Sequence, residues 1–311
     1  MTSGGNSSEL PAITAVVPTH KRPELMRRAV QSILDQRYDG RVEIIVVFDA
    51  CDPILPDVEL TDGRTMRAQV NARTRGLAGA RNTGIIAATS EFVAFLDDDD
   101  VWLPGKLEQQ IAEFTRRPDS ILVGTASYFD DGTTQHERLV GGDTVTAAQL
   151  IENKIAGLHS SGFMFRRSAL LGELGLVDEE LPRSYGEDYD LLLRVAALVP
   201  IAVVDVPLVN VTWKGESFFL GQWQVYAQAH QYLLEKHPVF TSSRSALSHL
   251  QARIAFALAA SGQRTEGRQW AARALRNNPL QVKAVLAYAI ALRLVSADRV
   301  TGVVRRFGKG I

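Results

Sequence analysis

Residues 91–100 read Glu91-Phe92-Val93-Ala94-Phe95-Leu96-Asp97-Asp98-Asp99-Asp100. Five apolar residues run straight into four carboxylates. A short apolar run rich in aromatic and β-branched residues predicts a strand buried on both faces. Four adjacent acids repel one another, and their charged forms are tolerated mainly where a cation compensates them. The plainer reading is an acidic surface loop, or a cap for the helix that follows Trp102. The apolar strand just upstream argues against it, because that strand delivers the acids to the edge of a core.

Similar strand signals recur on both sides of this stretch. Ile13 to Val17 is apolar and β-branched and ends at Pro18; Val42 to Phe48 is apolar nearly throughout; Thr65 to Val70 is weaker. Helical spacing falls between them. Glu24 to Gln36 places Leu25, Ala29, Ile33 and Leu34 on one face, with Pro23 where a helix starts. Ala78 to Ala88, Leu107 to Phe114 and Tyr189 to Leu198 also read as helices. Ser120 to Tyr128, Gly162 to Arg166, Ile201 to Val206 and Leu208 to Thr212 read as further strands. The alternation predicts an α/β fold with a largely parallel sheet and flanking helices. Ligands of such sheets sit outside the carboxyl ends of the strands. Pro18-Thr19-His20, Asp49-Ala50-Cys51 and Asp97 to Asp100 all fall there, so they are expected to converge on one crevice.

The chain has 311 residues, 46% hydrophobic and 22% charged, which excludes wholesale disorder and collagen-like repetition. A lone cysteine, Cys51, excludes an internal disulfide and any zinc site built on several thiolates; it reads as a packed or loop thiol. A net charge of −1 gives no nucleic-acid signal. That total hides an asymmetry. Residues 241–311 hold twelve Lys or Arg against two acids, Glu266 and Asp298, a net of +10, which leaves −11 on residues 1–240.

From Gln222 the sequence turns Ala- and Leu-rich, with helices expected over Gln222–Glu235, Ser245–Ala260, Thr265–Arg276 and Gln281–Val295. The expected organisation is a flexible 1–11, an α/β domain over 12–220 and an α-helical appendage over 221–311. Arg293, Arg299, Arg305, Arg306 and Lys309 flank Leu292, Leu294, Val295, Val300, Val303 and Val304. This pattern suits a basic amphipathic helix on anionic lipid, with a cap on the first domain or a homodimer contact as the competing readings. Met1 to Glu9 shows no secretion signal, and Ala284–Val295 is too short to span a bilayer. A cytoplasmic protein is therefore expected, with peripheral contact at the cytoplasmic face of the membrane as its variant.

Gly186-Glu187-Asp188-Tyr189-Asp190 opens a predicted helix. Acids in a first turn are favoured by the helix dipole, and a carboxylate there also suits a general base. Gly79-Ala80-Arg81-Asn82-Thr83-Gly84 sets an arginine at a helix start, where it and the backbone N–H groups suit a diphosphate; His20, Lys21 and Arg22 suit the same anion. The acid run suits a hard divalent ion, Mg²⁺ or Mn²⁺. No G-x-S-x-G elbow and no H-E-x-x-H segment occurs, and the six histidines show no metal-ligand spacing.

Taken in order, these blocks resemble the family 2 glycosyltransferases of the GT-A fold over roughly Ala12 to Phe219. The resemblance rests on Val16 to Pro23, on Ile44 to Asp49, on Gly79-Ala80-Arg81-Asn82, on Phe95 to Pro104 with its Asp-x-Asp block, and on Gly186 to Leu191. It implies transfer of a sugar from a nucleotide-sugar, a UDP-sugar first among them, to an acceptor hydroxyl with inversion and metal assistance. The acceptor class is a saccharide, a glycolipid or a small molecule, as in cell-envelope polysaccharide or glycolipid synthesis. By the same resemblance, Asp188 is the base and Asp99 holds Mn²⁺ or Mg²⁺. Pro18, Thr19, Arg22, Asp49, Arg81, Asp97 and Asp98 line the nucleotide-sugar. Glu187, Trp102, Trp213 and Lys214 are acceptor-side or supporting groups. Many relatives carry an aromatic-Arg-x-His segment after the last strand. Here the stretch is Val211-Thr212-Trp213-Lys214-Gly215-Glu216-Ser217, with Lys214 in place of the histidine, and Phe48 stands where an acid is common. Two other readings compete: an inactive transferase-like scaffold, and a sugar-1-phosphate nucleotidyltransferase. The latter normally has a Gly-rich loop after its first strand, where Pro18 to Arg22 has no glycine.

Overall fold

The computed structural model describes residues 10–152, 155, 157–213 and 222–306, the last four of them as backbone only. Two compact units emerge: one drawn from Met1–Thr146, Ile155–Glu179 and Glu187–Gly215, the other from Ala147–Lys154, Glu180–Gly186 and Glu216–Ile311.

The first unit is organised around a mixed sheet. Ile13–Thr19 (β1) is buried along its whole length, and Val42–Phe48 (β2) nearly so. β1 lies between β2 and Phe92–Phe95 (β4), parallel to both, with Thr19 opposite Phe48 and Val16 opposite Phe95. Arg64–Val70 (β3) extends the parallel set beyond β2. On the other side Met164–Arg166 (β9) runs antiparallel between β4 and Leu122–Asp130 (β6), and Ile201–Thr212 (β10) follows parallel to β6. The short Val101–Trp102 (β5) and Thr144–Val145 (β8) pair antiparallel with β10, and Gln135–Arg138 (β7) with β6. Six of these strands therefore run one way, which is the largely parallel α/β arrangement that the alternation predicts. Their carboxyl ends deliver Thr19, Asp49 and Asp97 to the same edge.

Pro207 was expected to divide two late strands, but β10 is continuous. Its register shifts between Val204, Pro207 and Val209, so the proline sits in a bulge where its missing N–H leaves no ladder bond broken. Helices Pro23–Leu34 (α1), Leu77–Ala87 (α2) and Lys106–Arg116 (α3) lie within one or two residues of their predicted spans. Ala29, Val30 and Ile33 of α1 and Leu107 and Phe114 of α3 join Ile13, Val17, Ile44, Val46 and Phe92 in one core cluster. The short Arg167–Leu171 (α5) and the longer Glu187–Leu198 (α6) complete this unit.

Glycine spacing in α2 has a packing cause. A Cβ on Gly84 would fall inside the methyl groups of Val16 on β1, and one on Gly79 would meet the backbone of Thr74. The two glycines therefore let α2 approach β1 and its own preceding loop closely.

The second unit is helical: Ala147–Glu152 (α4), Trp223–Lys236 (α7), Arg244–Ala260 (α8), Arg264–Asn277 (α9), Val282–Ala291 (α10) and Ala297–Arg306 (α11). Ser243 caps α8 by accepting from the Ala246 N–H at 3.2 Å. Its core is rich in small side chains, Ala252, Ala255, Ala259, Ala271, Ala274, Ala284 and Ala287 among them, with Phe256 and Ile290 as larger members. The helix expected over Gln281–Val295 stops at Ala291. Arg293 takes φ 64°, a left-handed conformation that ends a helix, and α11 starts beyond it. No helix among the described residues is long and apolar enough to cross a membrane.

Gly84→Ala is expected to lose about 1–3 kcal/mol, the usual cost of overpacking. Urea unfolding measures it. An unchanged midpoint would mean that α2 does not need this approach to β1.

Candidate active site

The site is built where three parallel strands end. β1 leaves through Lys21 (φ 54°) and β2 through Ala50 (φ 52°), both in left-handed backbone that side chains rarely adopt. Such strain persists only where surrounding contacts impose it. The two loops are tied together: the Asp49 N–H donates to the Thr19 carbonyl at 2.9 Å, and His20 Nδ1 lies 2.5 Å from the Asp49 carbonyl oxygen. The Asp49 carboxylate accepts from Asn71 Nδ2 at 2.7 Å and from the Gly76 N–H at 3.0 Å, which fixes the loop between β3 and α2.

The acid run follows β4. Thr19 Oγ1 donates to Asp98 Oδ2 at 2.7 Å, and Arg22 Nη1 lies 3.2 Å from Asp98 Oδ1 and 3.0 Å from Asp99 Oδ2. Pro18, beside Thr19, is buried in β1. Asp99 is the more open of the two acids, Asp98 being buried. Asp100 points inward, accepting from Ser161 Oγ at 2.5 Å and from the Thr212 N–H at 3.0 Å.

Arg81 lies beneath these acids. It has no exposed surface. Its Nη2 donates to Asp97 Oδ1 at 2.6 Å and to Ser160 Oγ at 2.9 Å, while its Nη1 pairs with Glu187 Oε1. One guanidinium thus ties the acid run to the first turn of α6. Asp188, the next residue, accepts from the Tyr189 N–H at 2.8 Å. Asp190 is fully buried and pairs with Arg194, which also holds the carbonyls of Leu174 and Leu176.

Crowding decides the protonation of the cluster. Burial favours a neutral Arg81, but Asp97 and Glu187 outweigh that and hold its cation more firmly than usual. A single guanidinium does not neutralise both carboxylates. Burial raises Asp97 as well, yet Arg81 and His159 hold it below the ordinary value. Burial raises Glu187, with Asp188 and Asp97 adding to the push against Arg81. Burial, then Asp97 and its other acidic neighbours, raises Asp99, and pushes Asp100 well above the ordinary value.

His159 enters this cluster from the loop before β9. Its Nδ1 stands 3.4 Å from Asp100 Oδ2 and 3.3 Å from the Ser161 N–H, and burial holds its imidazole below the ordinary value, against the opposing pull of Asp97 and Asp188. Ligand atoms of Asp97, Asp100 and His159 lie within 4.8 Å of one another. Two carboxylates and an imidazole at that separation fit a divalent ion. Histidine spacing gave no hint of this, because the ligands come from separate strands. The one available signal was the polar His159-Ser160-Ser161 stretch ahead of a buried strand. Lys106 was missed too. It is fully buried, donates to Gln110 Oε1 at 2.7 Å and lies 4.0 Å from the centre of the Trp102 ring.

Trp102 is itself buried and donates from Nε1 to the Ser161 carbonyl at 2.7 Å, so it supports the His159 loop from below. Trp213 is exposed at the end of β10, its N–H bonded to the Asp130 carbonyl at 2.7 Å. Lys214 to Ser217 lie outside the described residues.

A family model described as glycosyl transferase family 2 matches residues 14–172. The UDP-Glc:alpha-D-GlcNAc-diphosphoundecaprenol beta-1,3-glucosyltransferase WfgD of Escherichia coli is 28% identical over 184 residues, 59% of this chain and 69% of that protein. Of several other curated relatives the chain spans between 32% and 60%. Among solved structures, residues 1–349 of S. aureus TarS in complex with UDP-GlcNAc align with TM-score 0.58 at 18% identity, over 94% of this chain and 92% of that one. The mannosyltransferase PcManGT from Pyrobaculum calidifontis, in complex with GDP-Man and Mn²⁺, aligns with TM-score 0.55 at 18% identity, over 94% and 83%. These two likenesses concern the fold.

Removing Arg81 leaves two crowded carboxylates without their cation. Arg81→Met is expected to cost about 3–5 kcal/mol, and Arg81→Lys to recover little, because one ammonium does not reproduce a planar fork between two acids. Thermal and urea unfolding of both variants check this. Wild-type stability in either would show that the bridge is dispensable.

Proposed function

The chain belongs to glycosyl transferase family 2, and from that membership we propose that it moves a sugar from a nucleotide-sugar, with UDP-sugars the first candidates, to an acceptor hydroxyl with inversion. The observation that carries the reading is the buried Arg81 bridge, which ties the acid run after β4 to the helix turn bearing Asp188. It gives a donor site and a base a common frame.

Asp188 takes the proton from the acceptor hydroxyl as that oxygen attacks the anomeric carbon from the face opposite the leaving nucleoside diphosphate. Asp49, its carboxylate fixed by Asn71 and Gly76, accepts a hydrogen bond from the nucleobase. Pro18 and Thr19 form the floor of the nucleotide site, and Thr19 keeps Asp98 turned toward ribose or sugar. Asp97 keeps the same outlook, with one oxygen on Arg81. Arg22 sets a positive charge beside the diphosphate. Arg81 and Glu187 act by position, holding the acids and the base in register, so that donor and acceptor meet in line. Trp102 supports the loop of Ser161, and Trp213 offers an exposed ring to a sugar acceptor; Lys214 belongs to the same proposal.

A bound Mn²⁺ or Mg²⁺ would neutralise charge developing on the diphosphate. Asp99, the expected holder, faces the open side of the run, whereas Asp97, Asp100 and His159 present converging ligand atoms. The Mn²⁺ named with PcManGT supports the choice of ion. The lipid diphosphate in the name of WfgD supports a glycolipid acceptor of the cell-envelope type.

Asp188→Asn is expected to lower kcat by about 10²–10⁴-fold, as for loss of a general base. UDP or GDP should still raise its melting temperature, measured by thermal shift with and without Mn²⁺. Turnover near wild type would remove Asp188 from the chemistry. For the ion, His159→Ala should weaken Mn²⁺ binding by at least the roughly 10–100-fold typical of losing an outer-sphere partner. Electron paramagnetic resonance titration reads this directly. Unchanged affinity would return the ion to Asp99 without the imidazole.

A further inference from the structure

Helix α10 carries its apolar residues on both sides. Ala284, Ala287, Ile290 and Ala291 face the core of the helical unit. The exposed positions are Val282 at 68%, Val285 at 51% and Tyr288 at 39%, continued by Leu292 at 45% just past the end. Spacings of three and four place them in one stripe along the helix. Leu280 extends it before the helix, and Leu294 and Val295 after it, all exposed. A helix that faces water normally shows charged or polar groups there. A contiguous apolar strip marks a partner surface or a membrane.

The charge around the stripe selects between them. Residues 264–299 contain Arg264, Arg268, Arg273, Arg276, Lys283, Arg293 and Arg299 against two acids, Glu266 and Asp298. Arg293 follows the stripe directly in sequence, and Arg276 and Arg299, on the helices before and after α10, are exposed as it is. Two copies of so basic a face repel each other, so a second chain is a poor occupant. We propose that the outward face of α10, with its flanking arginines, docks on the surface of an anionic lipid bilayer. Val282, Val285 and Leu292 enter the acyl boundary. Tyr288 takes the headgroup level that suits an apolar ring with a polar tip, and the arginines meet lipid phosphates. The sequence pattern places such a surface from Leu292 to Val304; the stripe overlaps it at Leu292, Leu294 and Val295 and extends back along α10. This inference rests on exposure and charge alone and stands apart from the sugar-transfer reading.

The test is flotation of the full chain with phosphatidylcholine vesicles, with and without phosphatidylglycerol, in the absence of donor and acceptor. Binding is expected only to the anionic vesicles and should weaken as salt is raised, since headgroup attraction is screened within a Debye length. Val285→Ser combined with Leu292→Ser replaces exposed groups, so its melting temperature should match the wild type. Its vesicle affinity should fall by about tenfold or more. Replacing Arg276 and Arg293 by Gln should abolish the dependence on phosphatidylglycerol. Wild-type chain that fails to float, or serine variants that float equally well, overturn the proposal. Light scattering that shows the wild type as a dimer, and the serine variant as a monomer, would assign the stripe to a second copy instead.

Discussion

A single buried guanidinium sets the terms for the first unit. Arg81 cannot lose its proton at any ordinary pH, and it is held away from water between Asp97 and Glu187. A buried cation is tolerable only when it is paired and hydrogen-bonded, and two carboxylates with Ser160 satisfy both terminal nitrogens, leaving Nε without a partner among the described residues. The acids need the cation as much as it needs them. Asp97, Glu187 and Asp188 act on Arg81, Asp98 and Asp99 lie against Arg22, and Asp100 lies beside them, more negative charge than the two arginines neutralise. Burial and mutual repulsion therefore push Glu187 and Asp100 up. A site in that condition favours an added cation or a proton. That is the physical ground on which the divalent ion and the base are proposed.

Secondary contacts in this unit serve to keep the strand-end loops still. Asp49 grips the loop after β3 with both oxygens, Thr19 turns Asp98, and Trp102 steadies the Ser161 carbonyl. Left-handed Lys21 and Ala50 show that the chain accepts backbone strain to aim these loops. The rigid part is the parallel sheet, whose β1 and β2 are almost wholly buried. Precision at the site follows from mounting short loops on strands that have no freedom to shift.

The helical unit follows a different logic. Its interior mixes many alanines, which let helices approach closely, with a few large groups such as Ile254, Phe256 and Ile290. Other apolar side chains, Val282, Val285, Tyr288 and Leu292, are on the outside. An exposed apolar stripe within residues 241–311, which carry a net charge of +10, is the ground on which a surface beyond the chain is proposed.

The sequence by itself determined a good deal. Strand and helix positions followed from local periodicity, and the family could be named from five blocks in order. The acids at 97–100 were visible because they end an apolar run, and those at 187–188 because they open a helix just before one. Pro207 misled because a proline reads as a break until its neighbours show that a bulge accommodates it. Tertiary structure alone decided the rest. It buried Arg81 between Asp97 and Glu187, brought His159 to Asp97 and Asp100, and turned the apolar stripe of α10 outward. Those facts depend on which groups share a few ångströms after folding. Pairings between residues distant in the chain leave no periodic trace, since Coulomb energy and burial act through space and not along the backbone.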